Sequence, residues 1–234
     1  MNNLDYKDYL KTLNKISSAI VSDLYLEDIL KLIVTLTANV MKAKVCNVWL
    51  IDEKKKEFNI KATQSMHQEY LNKRTIQLNE GIVGLVAREK KPMLIFDVLK
   101  EEKYKEKKLA RKEGLVSMAS IPMMVKDKVI GVLNVYTNKP YEFTKAEITL
   151  LSTIANQAAV AIEKTELIVR TKIIQEELDT RKKIERAKGI LMEERNINES
   201  EAFSLIRKSS MDKRISMKEI AEAIILSYEI RQIK

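Results

Sequence analysis

The chain of 234 residues has little of what covalent and metal chemistry needs: one cysteine, Cys46, and one histidine, His67. A lone cysteine excludes an intrachain disulfide, and with a single histidine it cannot complete a zinc ligand set. Cys46 lies in the apolar stretch KVCNVWL and reads as a core filler. No apolar run reaches the ~18 to 20 residues that span a bilayer. The polar start MNNLDYKDYL lacks the charged-then-apolar order of a secretory signal. A cytoplasmic protein with no membrane partner, metal or cofactor is the expectation. Glycine and proline are also scarce, five and three, and their placement is informative. Seven of the eight lie between Gly81 and Pro140, and nothing breaks the chain from there to Gly189. That break-free stretch is expected to be mostly helix.

What is present begins with a 45% hydrophobic content, enough for a real core in one or two domains. The net charge of +9 permits a polyanionic partner, although excess lysine also keeps proteins soluble. Two helical stripes open the chain, Tyr9, Leu13, Ile16, Ile20 and then Leu26, Ile29, Leu30, Ile33, Leu36. The period then changes to that of strands in KVCNVWLID and EFNIKAT. NEGIVGLVAREKKPMLI reads as turn, short helix and strand, and EEKYKEKKLARKEG as a charged loop or short helix. SMASIPMMVKDKVIGVLNVYT reads as a hairpin turning at Lys126, Asp127 and Lys128. Thr144 and Glu147 have the spacing of a capping box, so a long helix should begin there. Along it, Leu167, Thr171, Ile174 and Leu178 keep the three-and-four spacing of a coiled-coil seam, which a second copy of the chain would cover.

This order of helices, strands, NEGIVGLVAREKKPMLIFDV, the hairpin and FTKAEITLLSTIANQAAVAIEKTEL resembles a GAF sensor domain over residues 1–166. The resemblance implies an antiparallel sheet flanked by helices, with a pocket for a small-molecule effector on one face. Trp49, Met93, Met118, Met123 and Tyr136 are the candidate lining residues, against the alternative that they are core. The Asn-Lys-Phe motif of cyclic-nucleotide GAF domains is not found. A sulfoxide-reducing enzyme of the GAF family is disfavoured, because one cysteine cannot run an intrachain thiol-disulfide cycle.

The last third carries three amphipathic helices. Ile184, Ala187 and Leu191 mark the inner face of the first; Ala202, Leu205, Ile206 and Ser209 that of the second; Met217, Ile220, Ala221, Ile224 and Tyr228 that of the third. Asn198 with Glu201 and Ser216 with Glu219 supply helix starts. Arg181, Lys188, Met192 and Arg195 form a second stripe beside the first inner face, and Gly189 calls for either a close neighbour or a local loosening. IERAKGILM, ESEAFSLIRKSSM and ISMKEIAEAI, in that order, resemble an ANTAR domain. The fold class expected is therefore α+β: a GAF domain, a helical coiled-coil connector over 167–180 and a three-helix bundle over 181–234. The resemblance implies a transcription antitermination regulator that binds RNA stem-loops in leader transcripts and prevents terminator formation. Candidate RNA-binding residues are Arg186, Ala187, Lys188, Gly189, Met192, Arg207, Ser210, Lys213 and Arg214. The expected protein is not an enzyme and forms a homodimer through the connector helix. The rival, a DNA-binding regulator with the same sensor, is disfavoured by the long loop ERNINES and the lack of a tight glycine turn between the last two helices.

Overall fold

A computed structural model describes residues 3–65 and 74–233, with the side chains of residues 3–5 left aside. His67 lies outside the described residues. The chain divides into two units, Met1–Thr165 and Glu166–Lys234.

In the first unit the helices α1 (Asn3–Val21) and α2 (Leu26–Val40) precede the strands β1 (Val45–Asp52), β2 (Glu57–Thr63) and β3 (Thr75–Gln77). Next come α3 (Gly81–Glu89), β4 (Met93–Ile95), α4 (Lys107–Glu113), β5 (Met118–Val125) and β6 (Lys128–Tyr136). The described strands form one antiparallel sheet in the order β3-β2-β1-β6-β5-β4. Two differences from the sequence expectation are small. The three-residue β3 was too short to show a period, and Lys128 belongs to β6, leaving Lys126 and Asp127 as the hairpin turn with Lys126 left-handed at φ 54°.

Alternation along the strands sends side chains to two cores. Cys46, Val48, Ala119, Ile121, Leu133 and Val135 pack against α1, α2 and the start of α5 (Lys145–Arg195). Val45, Trp49, Met118, Val132 and Tyr136 face the other way, under α3 and the segment containing Tyr104 and α4. Gly84 allows α3 to sit close, because a Cβ there would lie 2.5 Å from the Leu78 carbonyl oxygen. The Thr144 capping box forms: Glu147 accepts from the Thr144 amide at 2.8 Å, and the Glu147 amide donates to Thr144 Oγ1 at 3.3 Å.

Helix α5 is unbroken over 51 residues, so the last helix of the first unit, the connector and the first helix of the second unit are one element. In the second unit α6 (Glu199–Lys213) and α7 (Met217–Gln232) fold against its C-terminal part around Ala187, Leu191, Ala202, Ile206, Ile220 and Ala221. Asn198 and Ser216 both close full capping boxes, with Glu201 and Glu219. Four ion pairs tie α5 to α7: Asp179 to Lys218, Lys183 to Glu222, Arg186 to Glu229 and Glu194 to Arg231. The partners advance together along both helices, as for parallel neighbours.

Candidate nucleic-acid interface and effector pocket

The charges of the second unit sort into paired and unpaired sets. Lys188 is buried, its side chain 8% exposed, and its ammonium group donates to Glu185 Oε2 at 2.8 Å and Glu199 Oε1 at 2.6 Å. These bonds, first Glu185 and then Glu199, hold Lys188 above the ordinary lysine pKa, and Lys188 holds Glu199 below the ordinary carboxylate value. Lys188 thus clamps α5 to the start of α6, a role that the helical wheel concealed because Glu199 lies across a turn. Ala187 is fully buried in the core and offers no surface. Arg186 is exposed but donates to Glu229 at 2.7 Å.

The remaining candidates are open to solvent. Arg207, Lys213 and Arg214 are exposed and make no ion pair among the described residues. Ser210 donates its hydroxyl to the Ile215 carbonyl at 2.6 Å, closing the end of α6, where Arg214 takes a left-handed φ of 55°. Met192 is 37% exposed. Phe203, absent from the candidate list, is 41% exposed, and Met211 is 68% exposed. Positions 203, 207 and 211 fall on one helical face, so α6 presents an aromatic ring, an arginine and a methionine together, and Arg214 follows at its C-terminal cap. The signal for Phe203 was present in the sequence: it follows Ala202 and lies off the inner stripe.

Gly189 is exposed in the interior of α5, and a Cβ there would meet nothing within 4 Å. The expectation of a close neighbour fails, because α6 and α7 pack against other faces of the helix. The expectation of loosening fails too, because α5 runs through it without a break. No packing reason within the chain accounts for this glycine.

In the first unit, Trp49, Met118 and Tyr136 share the second core and Met93 packs on it. Met123 does not: it is fully buried on the opposite face with Cys46 and Leu133. Five residues separate Met118 from Met123, and an odd separation reverses the face of a strand. The row Asn47, Asn134 and Ser120, adjacent across three strands by register, lies on the Trp49 face and is buried. Ser120 donates to Asn134 Oδ1 at 2.7 Å. Sequence reasoning passed over these residues, since polar residues inside strands read as outward-facing. Arg74 lies over the Trp49 ring at 5.5 Å and pairs with Glu106. Burial pushes the nearby Tyr104 phenol up to about 12, so it is neutral at physiological pH. Burial likewise pushes the Cys46 thiol well above its ordinary value, which leaves no thiolate for redox chemistry.

A model of the GAF domain matches residues 24–163. The chain belongs to the GAF-domain family. An ANTAR domain follows, matched over residues 173–225, as the sequence motifs implied. A stretch of 158 residues is 26% identical to the phosphoenolpyruvate-dependent phosphotransferase system protein of Escherichia coli K12, covering 68% of this chain and 21% of that one. A stretch of 52 residues is 42% identical to the transcriptional regulatory protein PdtaR of Mycobacterium tuberculosis, covering 22% of this chain and 25% of that one. The chain therefore spans a fifth to a quarter of the length of these curated relatives. The GAF domain of an Acinetobacter phosphoenolpyruvate-protein phosphotransferase superposes with a TM-score of 0.61 at 28% identity, over 72% of this chain and 98% of that domain. No described helix is long and apolar enough to cross a membrane.

Proposed function

We propose that the protein is a cytoplasmic, non-catalytic regulator of transcription antitermination, whose ANTAR domain binds stem-loops in nascent leader RNA under control of the GAF domain. The observation that carries this reading is the exposed α6 face of Phe203, Arg207 and Met211, with exposed Lys213 and Arg214 at the end of that helix, within an ANTAR domain of a chain similar over 52 residues to the transcriptional regulatory protein PdtaR. Arginine and lysine neutralise phosphates, and an exposed ring gives an unstacked loop base a surface to lie on. Gly189 supplies a point on α5 where an RNA backbone or base can come close, and Met192 stands one turn on. Arg186 and Lys188 act indirectly, by fixing α7 and α6 on α5. Net charge is a poor guide here: residues 166–234 hold 15 Lys and Arg against 13 Asp and Glu. Local placement of unpaired charge matters more than the total.

The seam Leu167, Thr171, Ile174 and Leu178 joins two copies in this reading. Leu167, Ile174 and Leu178 are 54%, 64% and 45% exposed, and Ile168, Val169 and Ile173 add apolar surface beside them. A lone helix bearing that stripe is marginal in water, and a second copy buries it. The deciding experiment is a gel shift of the full chain against a tandem stem-loop RNA and a duplex DNA of equal length at matched salt. RNA preference supports the reading; equal or better binding to duplex DNA replaces it with the DNA-binding alternative.

A further inference from the structure

Most of the chain's positive excess lies on residues 1–165, which hold 27 Lys and Arg against 20 Asp and Glu. Part of it converges on one cavity of about 630 Å³. Its charged lining is Arg74, Lys105, Lys107, Lys108 and Arg111, with Glu106 as the only described carboxylate. Leu109, also in the lining, packs on the core beneath the Trp49 face of the sheet. Arg74 forms the inner wall, between Glu106 on one side and the Trp49 ring on the other.

Glu106 already occupies Arg74 as an anionic ligand would, and the same guanidinium lies 5.5 Å from the Trp49 ring, so a change at Arg74 is felt by that ring.

We propose that this cavity binds a small organic anion, carboxylate or phosphate, which displaces Glu106 from Arg74 and meets Lys107, Lys108 and Arg111. The proposal deepens the sensor role assigned above to the GAF domain and rests on it, but not on RNA binding. Trp49 is the single tryptophan, so its fluorescence reports the site directly.

The test titrates the full chain with AMP, succinate and inorganic phosphate, with adenosine, succinamide and KCl at equal ionic strength as controls. A saturable change with AMP or succinate that exceeds its neutral counterpart is expected, and which of the two wins separates phosphate from carboxylate. Joint replacement Lys107→Ala, Lys108→Ala, Arg111→Ala should weaken that binding at least ~10-fold. Glu106→Gln should tighten it, by removing the internal competitor. No saturation by about 10 mM, equal binding of the neutral counterparts, or unchanged affinity in both variants overturns the proposal. RNA affinity is measured on the same samples. Loss of RNA binding with anion binding retained sinks the antitermination reading alone, and the converse sinks this one alone.

Discussion

Replacing Gly189 with alanine separates a structural from a functional role more cleanly than any other change in the second unit. A glycine in a helix interior costs about 0.5 to 1 kcal/mol relative to alanine, chiefly through backbone entropy. The methyl group that Gly189→Ala adds meets nothing within 4 Å, so no clash offsets that gain. The folded second unit should therefore be more stable by about 0.5 to 1 kcal/mol. Amide hydrogen exchange of the protected residues in α6 and α7 should slow by roughly two- to fivefold where it proceeds through opening of the whole bundle. If RNA approaches the bare Cα closely, the same methyl group overpacks that contact at about 1 to 3 kcal/mol, which weakens RNA binding about 5- to 150-fold. A variant that is more stable yet binds RNA worse is the expected outcome, read by hydrogen exchange with mass spectrometry and by fluorescence anisotropy on a labelled stem-loop. Unchanged RNA affinity would remove Gly189 from the interface, and faster exchange would refute the claim that the position is open.

The other expectations concern charge and pairing. Arg207→Ala should weaken RNA binding and reduce the slope of log affinity against log salt by roughly 0.7 to 0.9, one phosphate contact. Arg186→Ala should leave that slope unchanged, since its guanidinium is engaged by Glu229; filter binding at four salt concentrations checks both. Glutamate at both Leu167 and Leu178 should raise the monomer fraction in light scattering, because a paired seam would bury unpaired charge, and an unchanged dimer would move the interface elsewhere. Acidification should loosen the second unit. Asp179, Glu199 and Glu219 are held below their ordinary pKa values, by Lys183, Lys188 and the Ser216 cap respectively. Their stabilisation is complete above the ordinary carboxylate values and is lost as pH falls through the lowered ones. Exchange protection of α6 and α7 should be flat near neutrality and drop below about pH 4; a drop centred near pH 6 would contradict this origin.

The fold was legible where local signals agreed. Alternation in KVCNVWLID, the hairpin, and the Thr144, Asn198 and Ser216 caps all appear as elements or bonds of the kind expected. Face assignment was legible too, though parity had to be counted: Met118 and Met123 look alike by composition and differ only in being an odd number of residues apart. β3 was illegible because TIQ, unlike the equally short MLI of β4, is not an apolar run behind a proline, and its place beside β2 is set by pairing from Glu57 to Gln77.

The candidate interface was harder to read, because a helical wheel ranks residues by angle on one helix and cannot see what neighbouring helices bring. Lys188 sat beside the apolar stripe on the wheel, which suggested a cation at the edge of a surface. In the folded unit that edge is where the start of α6 returns, and Glu199 meets it at 2.6 Å while Glu185, one turn back on α5, meets it from below. Arg186, a candidate RNA contact by sequence, meets Glu229 of α7. What distinguishes Arg207, Lys213 and Arg214 is that they are exposed and make no ion pair among the described residues, whereas Lys183, Arg186 and Arg231 are taken up by the carboxylates that α5 and α7 exchange. The surface proposed for a polyanion is thus defined by subtraction: cations that the fold has consumed hold the bundle together, and Arg207, left over, faces outward on the same side of α6 as Phe203 and Met211.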